Sequence, residues 1–346
     1  MSKPLQVALI SFSHGHQMDY GRLLAAHPQT QLVAIGDVSG ITDEARKVAM
    51  DFAAAHDVPY YADYRQMLEQ QNLDAVSIAV SPSLNPSVVI ACARQGIDVL
   101  CEKPVASNSD DLNQLEKVVR ESGIRFTAAI PATVFSNAFR PAIEQVTQGA
   151  IGIPHVAHFQ FLQPRGPQYI LSQEQCASEK RGELANFGPY GILAMLKLFG
   201  RKITHVFARM DAMFYERYKT HHVEDMALLS LTFEGGGVGT LLVGRTTTQT
   251  QLATDCSMQV IGSEGVLNIE QGLGYGYTCY QQDQARFVPF GMSAGQCFIN
   301  DFVKAVESET DPTITLDAIV NCFRVLDACY QSSREGRAIP ILHENH

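Results

Sequence analysis

The chain has 346 residues, of which 46% are hydrophobic and 18% charged, and it carries a formal net charge of −10. Such a composition belongs to a well-buried globular protein and excludes a disordered one, and the length points to two domains rather than one core. No basic cluster stands out, so nucleic acid is not an expected partner.

The opening run MSKPLQVALISFSHGH has too short an apolar stretch for a signal h-region or a membrane span. No other segment reads as targeting or transmembrane, so the expected location is cytoplasmic, with no membrane partner. The eight cysteines are scattered without a C-x-x-C pair. Cys92, Cys101, Cys322 and Cys329 fall inside apolar patterns and read as reduced core residues.

Leu5 to Ile10 reads as a strand, Ser11 to His16 as a turn, and Gln17 to Ala26 as a helix. Gln31 to Ile35 is the next strand. Thr42 to His56 follows as a helix, with Thr42 placed to cap it and Asp43 and Glu44 suited to its first turn. Val58 to Tyr61, Ala75 to Val80, Asp98 to Cys101 and Arg125 to Ala129 are further strands. Asp63 to Gln70, Pro86 to Gln95, Asp110 to Glu121 and Phe135 to Gln148 are the helices between and after them. Strict alternation at short spacing predicts an α/β fold, a doubly wound parallel sheet of Rossmann type over residues 1–130.

The first turn of such a sheet takes a dinucleotide pyrophosphate through G-x-G-x-x-G. Ser11, Ser13 and His16 stand at those positions, with Gly15 displaced by one. Serine is small and its hydroxyl can meet phosphate, and the amides of a helix start bind anions. His14 and His16 read as solvated or capping residues. No third ligand is visible beside them, so no metal is expected. Asp37 ends the second strand, where an acidic group accepts from both ribose hydroxyls of NAD and repels the phosphate of NADP. The nearest following arginine is Arg46, so NAD is favoured modestly over NADP.

Glu102-Lys103-Pro104 follows the buried strand that ends at Cys101. Ligands collect at the carboxyl ends of parallel strands, and Pro104 biases Lys103 toward an extended backbone. A lysine in a partly dry cleft loses proton affinity and can serve as an acid/base. The tripeptide alone reads more readily as a surface lysine in a loop.

Several segments in order resemble the glucose–fructose oxidoreductase / inositol dehydrogenase (Gfo/Idh/MocA) family. They are Asp74 to Ile78 with Ser81-Pro82 after it, the run ACARQGIDVLCEKP from Ala91 to Pro104, and Gly149-Ala150-Ile151-Gly152. GELANFGPY from Gly182 to Tyr190 and the C-terminal pair Phe298 to Val306 and Thr313 to Gly336 complete the set. The resemblance implies NAD(P)-dependent hydride transfer to or from a hydroxyl-bearing carbon of a sugar, cyclitol or related polyol. It implies Lys103 as acid/base and a cofactor-binding set that adds Ser81, Pro82 and Glu102 to the first loop and Asp37, and a cis Lys103–Pro104 bond would be a way to aim the lysine. Glu102 would help place the lysine or the nicotinamide ribose. It also implies a C-terminal α/β domain, residues 131–346, with a large, mostly antiparallel sheet whose open face joins copies into a dimer or tetramer. The long strands His155 to Leu162, Ile203 to Met210, Met226 to Phe233, Gly237 to Gly244, Ser257 to Ile261 and Val266 to Ile269 support that sheet. A last helix near 315–334 carries an apolar stripe and is expected to pack on a domain, the first included.

The family places an Asp and, four residues on, a His or Tyr beside the lysine. Asn186 and Tyr190 hold those places here. Residues four apart share a helix face. Tyr190 can relay a proton, whereas Asn186 can only orient a substrate. Asn85-Pro86 replaces a common His, and Leu193 replaces a common Asp. Arg165, Tyr169 and Lys180 are possible polar contacts to substrate, and His221-His222-x-Glu224-Asp225 reads as the entrance to a strand rather than a metal cluster. The substituted glycines, Asn186 and Pro86 keep a second reading open: a ligand- or cofactor-sensing protein that keeps the fold without turnover. Reduction of a non-sugar carbonyl or an activated double bond is a third.

Overall fold

A computed structural model describes residues 3–130, 133–136, 138–163, 181–246, 256–271, 276–281, 284–289 and 294–341. The chain divides into two compact units. The first holds Met1–Ile130 together with Gly295–Val320, and the second holds Pro131–Ala294 together with Asn321–His346.

The first unit runs β1 (Leu5–Ile10), α1 (His16–Ala26), β2 (Thr30–Gly36), α2 (Asp43–Ala55), β3 (Tyr60–Tyr61), α3 (Tyr64–Gln70), β4 (Ala75–Ile78), α4 (Asn85–Ala93), β5 (Asp98–Cys101), α5 (Ser109–Ser122) and β6 (Phe126–Ala128). The strands order β3-β2-β1-β4-β5-β6, and every pairing is parallel. This is the doubly wound order, with the reversal between β1 and β4 opening a crevice at the carboxyl ends. All residues of β4 and β5 are buried, which is why these strands read as mostly apolar runs without alternation. Polar side chains set the helix starts: Thr42 Oγ1 accepts from the Ala45 amide at 3.2 Å and Asn108 Oδ1 from the Asp111 amide at 2.9 Å.

The second unit begins with α6 (Phe139–Thr147), β7 (Pro154–Gln163), α7 (Glu183–Phe199), β8 (Ile203–Asp211), α8 (Glu216–His221), β9 (Met226–Phe233) and β10 (Val238–Arg245). It continues with β11 (Cys256–Gly262), β12 (Gly265–Gln271), β13 (Gly276–Gln281) and β14 (Gln284–Pro289). After α9 (Ala294–Ser308) and α10 (Leu316–Glu335) comes β15 (Ile339–Pro340). Nine strands form one sheet in the order β14-β13-β12-β11-β7-β10-β9-β8-β15. Its pairings are antiparallel except for β10 with β7. Strand β9 alternates buried and exposed residues, as a sheet with one covered face requires. The cover is α7. It lies so close that a Cβ at Gly191 would meet Phe159 Cδ1 at 2.4 Å and Leu241 Cδ2 at 2.6 Å.

Two features depart from the sequence reading. The helix anticipated from Phe135 starts at Phe139, after a turn in which Ser136 Oγ accepts from the Phe139 amide at 3.0 Å. The segment 295–320, read as part of the second domain, belongs with the first unit. Phe298, Ile299 and Phe302 are buried, the rings of Tyr20 and Phe298 lie 5.9 Å apart, and Thr127 Oγ1 donates to the Ile314 carbonyl at 3.1 Å. Helix α10 starts in the first unit and continues into the second.

Candidate functional site

The crevice-side ends of β1, β2 and β5 carry most of the residues the sequence singled out. Ser11 follows β1 with φ +64°, a left-handed backbone that favours glycine. The position of the first fingerprint glycine thus keeps a glycine-like turn although its residue is serine. The Ser11 hydroxyl is 2.9 Å from that of Ser13 and accepts from the Ser13 amide at 3.3 Å. Gly15 is different. Its φ is −59° and nothing lies within 4 Å of where its Cβ would stand, so a side chain would fit there. The tight helix-to-strand approach falls instead to Gly21, whose Cβ would meet Leu9 Cδ1 at 2.8 Å. Buried Gln17 fastens α1 to β4, donating to the Ser77 carbonyl at 2.9 Å and accepting from the Ser77 hydroxyl at 2.8 Å.

Asp37 is buried at the end of β2. It accepts from its neighbour's amide at Val38 at 3.1 Å and from the Tyr60 hydroxyl at 3.2 Å. Burial raises its pKa from the ordinary value, and hydrogen bonds, that with Ser11 first, partly oppose the rise. Arg46 on α2 is within electrostatic reach of this carboxylate, and its Nε is buried without a hydrogen-bond partner.

Glu102 and Lys103 leave β5 buried, and the Lys103–Pro104 peptide is cis. Asn85, noted in the sequence only as a departure, proves to hold this segment. Its buried Nδ2 donates to the carbonyls of Glu102 at 3.1 Å and Pro104 at 2.8 Å. His16 Nδ1 lies 3.3 Å and His14 Nδ1 3.8 Å from Glu102 Oε1. The third group that was missing beside the two histidines is therefore supplied by the fold. Burial pushes the Glu102 pKa up, but the hydrogen bond with His16 and the charges of His14, His16 and Lys103 bring it below the ordinary value. Burial lowers His14 to about 4. Glu102 Oε2 and Asn85 Oδ1 are buried without partners. Ser81 and Pro82 lie in the turn after β4, where the Ser81 carbonyl accepts from the Leu84 and Asn85 amides.

A nicotinamide dinucleotide fits these residues. The left-handed turn at Ser11 opens the loop, Gly15 at the α1 N-cap contributes no capping side chain, and the two orphaned oxygens of Asn85 and Glu102 are acceptors that a polar ligand can satisfy.

In the second unit, Asn186 and Tyr190 ride on the first turns of α7. Tyr190 is 7% exposed, its ring is 5.5 Å from that of Phe161, and its carbonyl accepts from Thr133 Oγ1 at 2.8 Å. Asn186 Nδ2 donates to Glu183 Oε2 at 2.9 Å. Glu183 is wholly buried and paired with Arg245 Nε at 2.5 Å, and the Tyr218 hydroxyl donates to it. Sequence reasoning missed this network because its members are spread from Glu183 to Arg245. The His221-His222 cluster does not gather as a metal site. His222 ends α8 in a left-handed conformation with φ +54°. Glu224 accepts from the amides of Gly182 and Leu184, both at 3.0 Å, and from the Tyr330 hydroxyl at 2.8 Å. Asp225 accepts from the amides of Met213, Phe214 and Tyr215. Arg165, Tyr169 and Lys180 lie outside the described residues.

Comparison with known proteins follows the same division. Residues 6–130 match a family model described as an oxidoreductase family with an NAD-binding Rossmann fold. Residues 139–268 match the GFO/IDH/MocA C-terminal domain. The chain belongs to the Gfo/Idh/MocA family. It is 27% identical over 208 residues to the myo-inositol 2-dehydrogenase of Thermotoga maritima, covering 59% of each chain. It is 24% identical over 315 residues to D-xylose 1-dehydrogenase (NADP(+)) 2 of Haloferax volcanii, covering 86% of this chain and 90% of that one. The crystal structure of an oxidoreductase from Agrobacterium radiobacter in complex with NAD+, L-tartaric acid and magnesium shares the fold. Its TM-score is 0.84 at 16% identity, with 98% of this chain and 99% of that one covered.

Proposed function

We propose that the protein is a nicotinamide-dependent dehydrogenase acting on a hydroxyl-bearing carbon of a polyol-like small molecule, a sugar or cyclitol. The observation that carries this reading is a buried lysine, Lys103, at the carboxyl end of β5 in the same crevice as the Ser11 turn. A bound nicotinamide supplies the hydride chemistry. Ser11, Ser13, His14, Gly15 and His16 hold its phosphates, Asp37 its adenosine ribose, and Ser81, Pro82 and Glu102 the neighbouring segments. Lys103 takes the hydroxyl proton during oxidation and returns it during reduction. Asn85 fixes the backbone on either side of the lysine, which keeps the ammonium aimed. The family's pattern adds the Tyr190 hydroxyl as a sharer of the substrate's proton and the Asn186 amide as the group that orients it.

Asp37 favours NAD, since its carboxylate repels a ribose phosphate. Arg46 supports a second reading in favour of NADP, because an arginine with an unpaired buried Nε beside Asp37 can neutralise that phosphate. The open face of the nine-stranded sheet, with Leu228 52% exposed on a depression of about 480 Å³, supports assembly into a homodimer or tetramer. The absence of membrane-spanning helices among the described residues is compatible with the proposed cytoplasmic location.

The test is a fluorescence titration with NADH and, separately, NADPH. The chain has no Trp, so enhancement of the reduced nicotinamide signal reads cleanly. NADH binding followed by Lys103-dependent turnover of a polyol is the expected result. Binding of neither nucleotide overturns the reading and leaves the sensing alternative in its place.

A further inference from the structure

We propose that His14, His16 and Glu102 form a three-ligand site for a divalent transition metal, with zinc as the ion whose chemistry matches the ligand set. The site lies within the first unit and shares its three residues with the proposed nucleotide site, but it does not rest on the dehydrogenase reading. The ligand atoms of the three residues all lie within 4.8 Å of one another. The two imidazole rings meet edge-on with centroids 4.4 Å apart, and both direct a nitrogen toward Glu102 Oε1, at 3.3 Å and 3.8 Å.

Ligands of a tetrahedral zinc, each ~2.0–2.1 Å from the ion, stand about 3.3–3.4 Å from one another. The present separations therefore close on one ion by small rotations of the histidine side chains. Those side chains are 31% and 46% exposed while that of Glu102 is 3% exposed, so the carboxylate is the fixed arm and the imidazoles are the adjustable ones. A second observation is independent of the histidines. Glu102 Oε2 is buried and has no hydrogen-bond partner. A buried carboxylate oxygen left unpaired is costly, and a cation held by both oxygens of the carboxylate would satisfy it.

The donor set selects among cations. Magnesium and calcium take oxygen ligands, whereas two imidazoles and one carboxylate suit zinc or ferrous iron, with positions left open for water or a ligand. The sequence could not show this site because His14 and Glu102 are separated by most of the first unit. They meet only because β1 and β5 flank β4 in a parallel sheet.

The experiment uses the full chain, freed of metal and nucleotide. It is titrated with zinc by calorimetry and with cobalt(II) in the visible spectrum. The expected result is one ion per chain and a cobalt spectrum without a sulfur charge-transfer band. Each of His14→Asn, His16→Ala and Glu102→Gln should weaken zinc by more than the ~10–100-fold that loss of an outer-shell partner costs. His158→Ala, on the face of the nine-stranded sheet, should leave the affinity unchanged. The two histidines are partly exposed, so their variants carry the test if Glu102→Gln fails to fold. No binding at millimolar zinc, a sulfur band, or unchanged affinity in the histidine variants would overturn the proposal. Titration of the same metal-free sample with NADH separates the two readings. Nucleotide binding without zinc binding overturns this one alone, and zinc binding without nucleotide binding overturns the other alone.

Discussion

Glu102 follows β5 in the first unit and Glu224 precedes β9 in the second, and both carboxylates are withdrawn from water. Glu224 Oε1 accepts two amides from the start of α7 and one tyrosine hydroxyl. Glu102 has two partly exposed histidines on one oxygen and nothing on the other. The contrast extends to their neighbours. Glu183, close to Glu224, is closed in by Arg245, Tyr218 and Asn186. The difference teaches where to look for chemistry. A buried carboxylate oxygen left without a partner, as Glu102 Oε2 is, is available to a ligand.

The strongest way to sharpen this contrast is Lys103→Met. Loss of an acid/base of this kind lowers turnover by ~10²–10⁴-fold, and nucleotide binding measured by NADH fluorescence should survive. Full activity in that variant would break the contrast at its functional end. Arg245→Met tests the structural end. It strands the Glu183 carboxylate in the interior, and removing one partner of a buried ion pair costs about 3–5 kcal/mol, read from urea denaturation. Glu102→Gln in the same assay should cost less than about 1 kcal/mol, because one of its oxygens makes no bond to lose. Equal costs for the two variants would remove the distinction.

Glu224 makes a pH prediction. Burial raises it from 4.5 to about 7, with its hydrogen bonds, that of Tyr330 first, opposing the rise. Between those values the folded protein holds a proton that the unfolded chain has released. Stability therefore falls as pH climbs from 4.5 to 7, by up to about 3 kcal/mol from this group. Glu224→Gln should flatten that part of a stability–pH curve, and an unchanged slope would show that the carboxylate is ionised throughout. The smallest effect is at Ser11. Glycine tolerates φ +64° without the strain that serine bears, so Ser11→Gly should raise stability by about 1 kcal/mol or less in thermal denaturation, since the hydroxyl contacts are lost too.

Much of this was legible in the chain itself. The alternation of apolar runs with capped helices located β1, β5, α2 and α5 nearly to the residue, since both signals are local. Thr42 and the Glu102-Lys103-Pro104 run could be read because each acts within a few residues of its own position. The site was legible in part. Ser11 was recognised as standing where a glycine belongs, but its left-handed backbone is a property of the folded turn. The bond between His16 and Glu102 joins residues 86 apart, and Asn85 was seen only as a missing histidine when it in fact clamps the backbone beside Lys103. Glu183 gave no signal, because its partners Tyr218 and Arg245 lie on elements that meet only in the finished sheet.

The return of segment 295–320 to the first unit bears on how the protein is made. A ribosome that has released Ile130 has delivered all six strands of the first sheet, yet Phe298 and Phe302 have still to be added. At ~5–20 residues per second, the rate of chain synthesis, the wait is roughly 8–33 s. Throughout that interval the apolar surface around Tyr20 that Phe298 covers stays open, exposed to chaperones and to other nascent chains. A fragment that stops at Ile130 keeps the surface open permanently, and it should aggregate where the full chain does not.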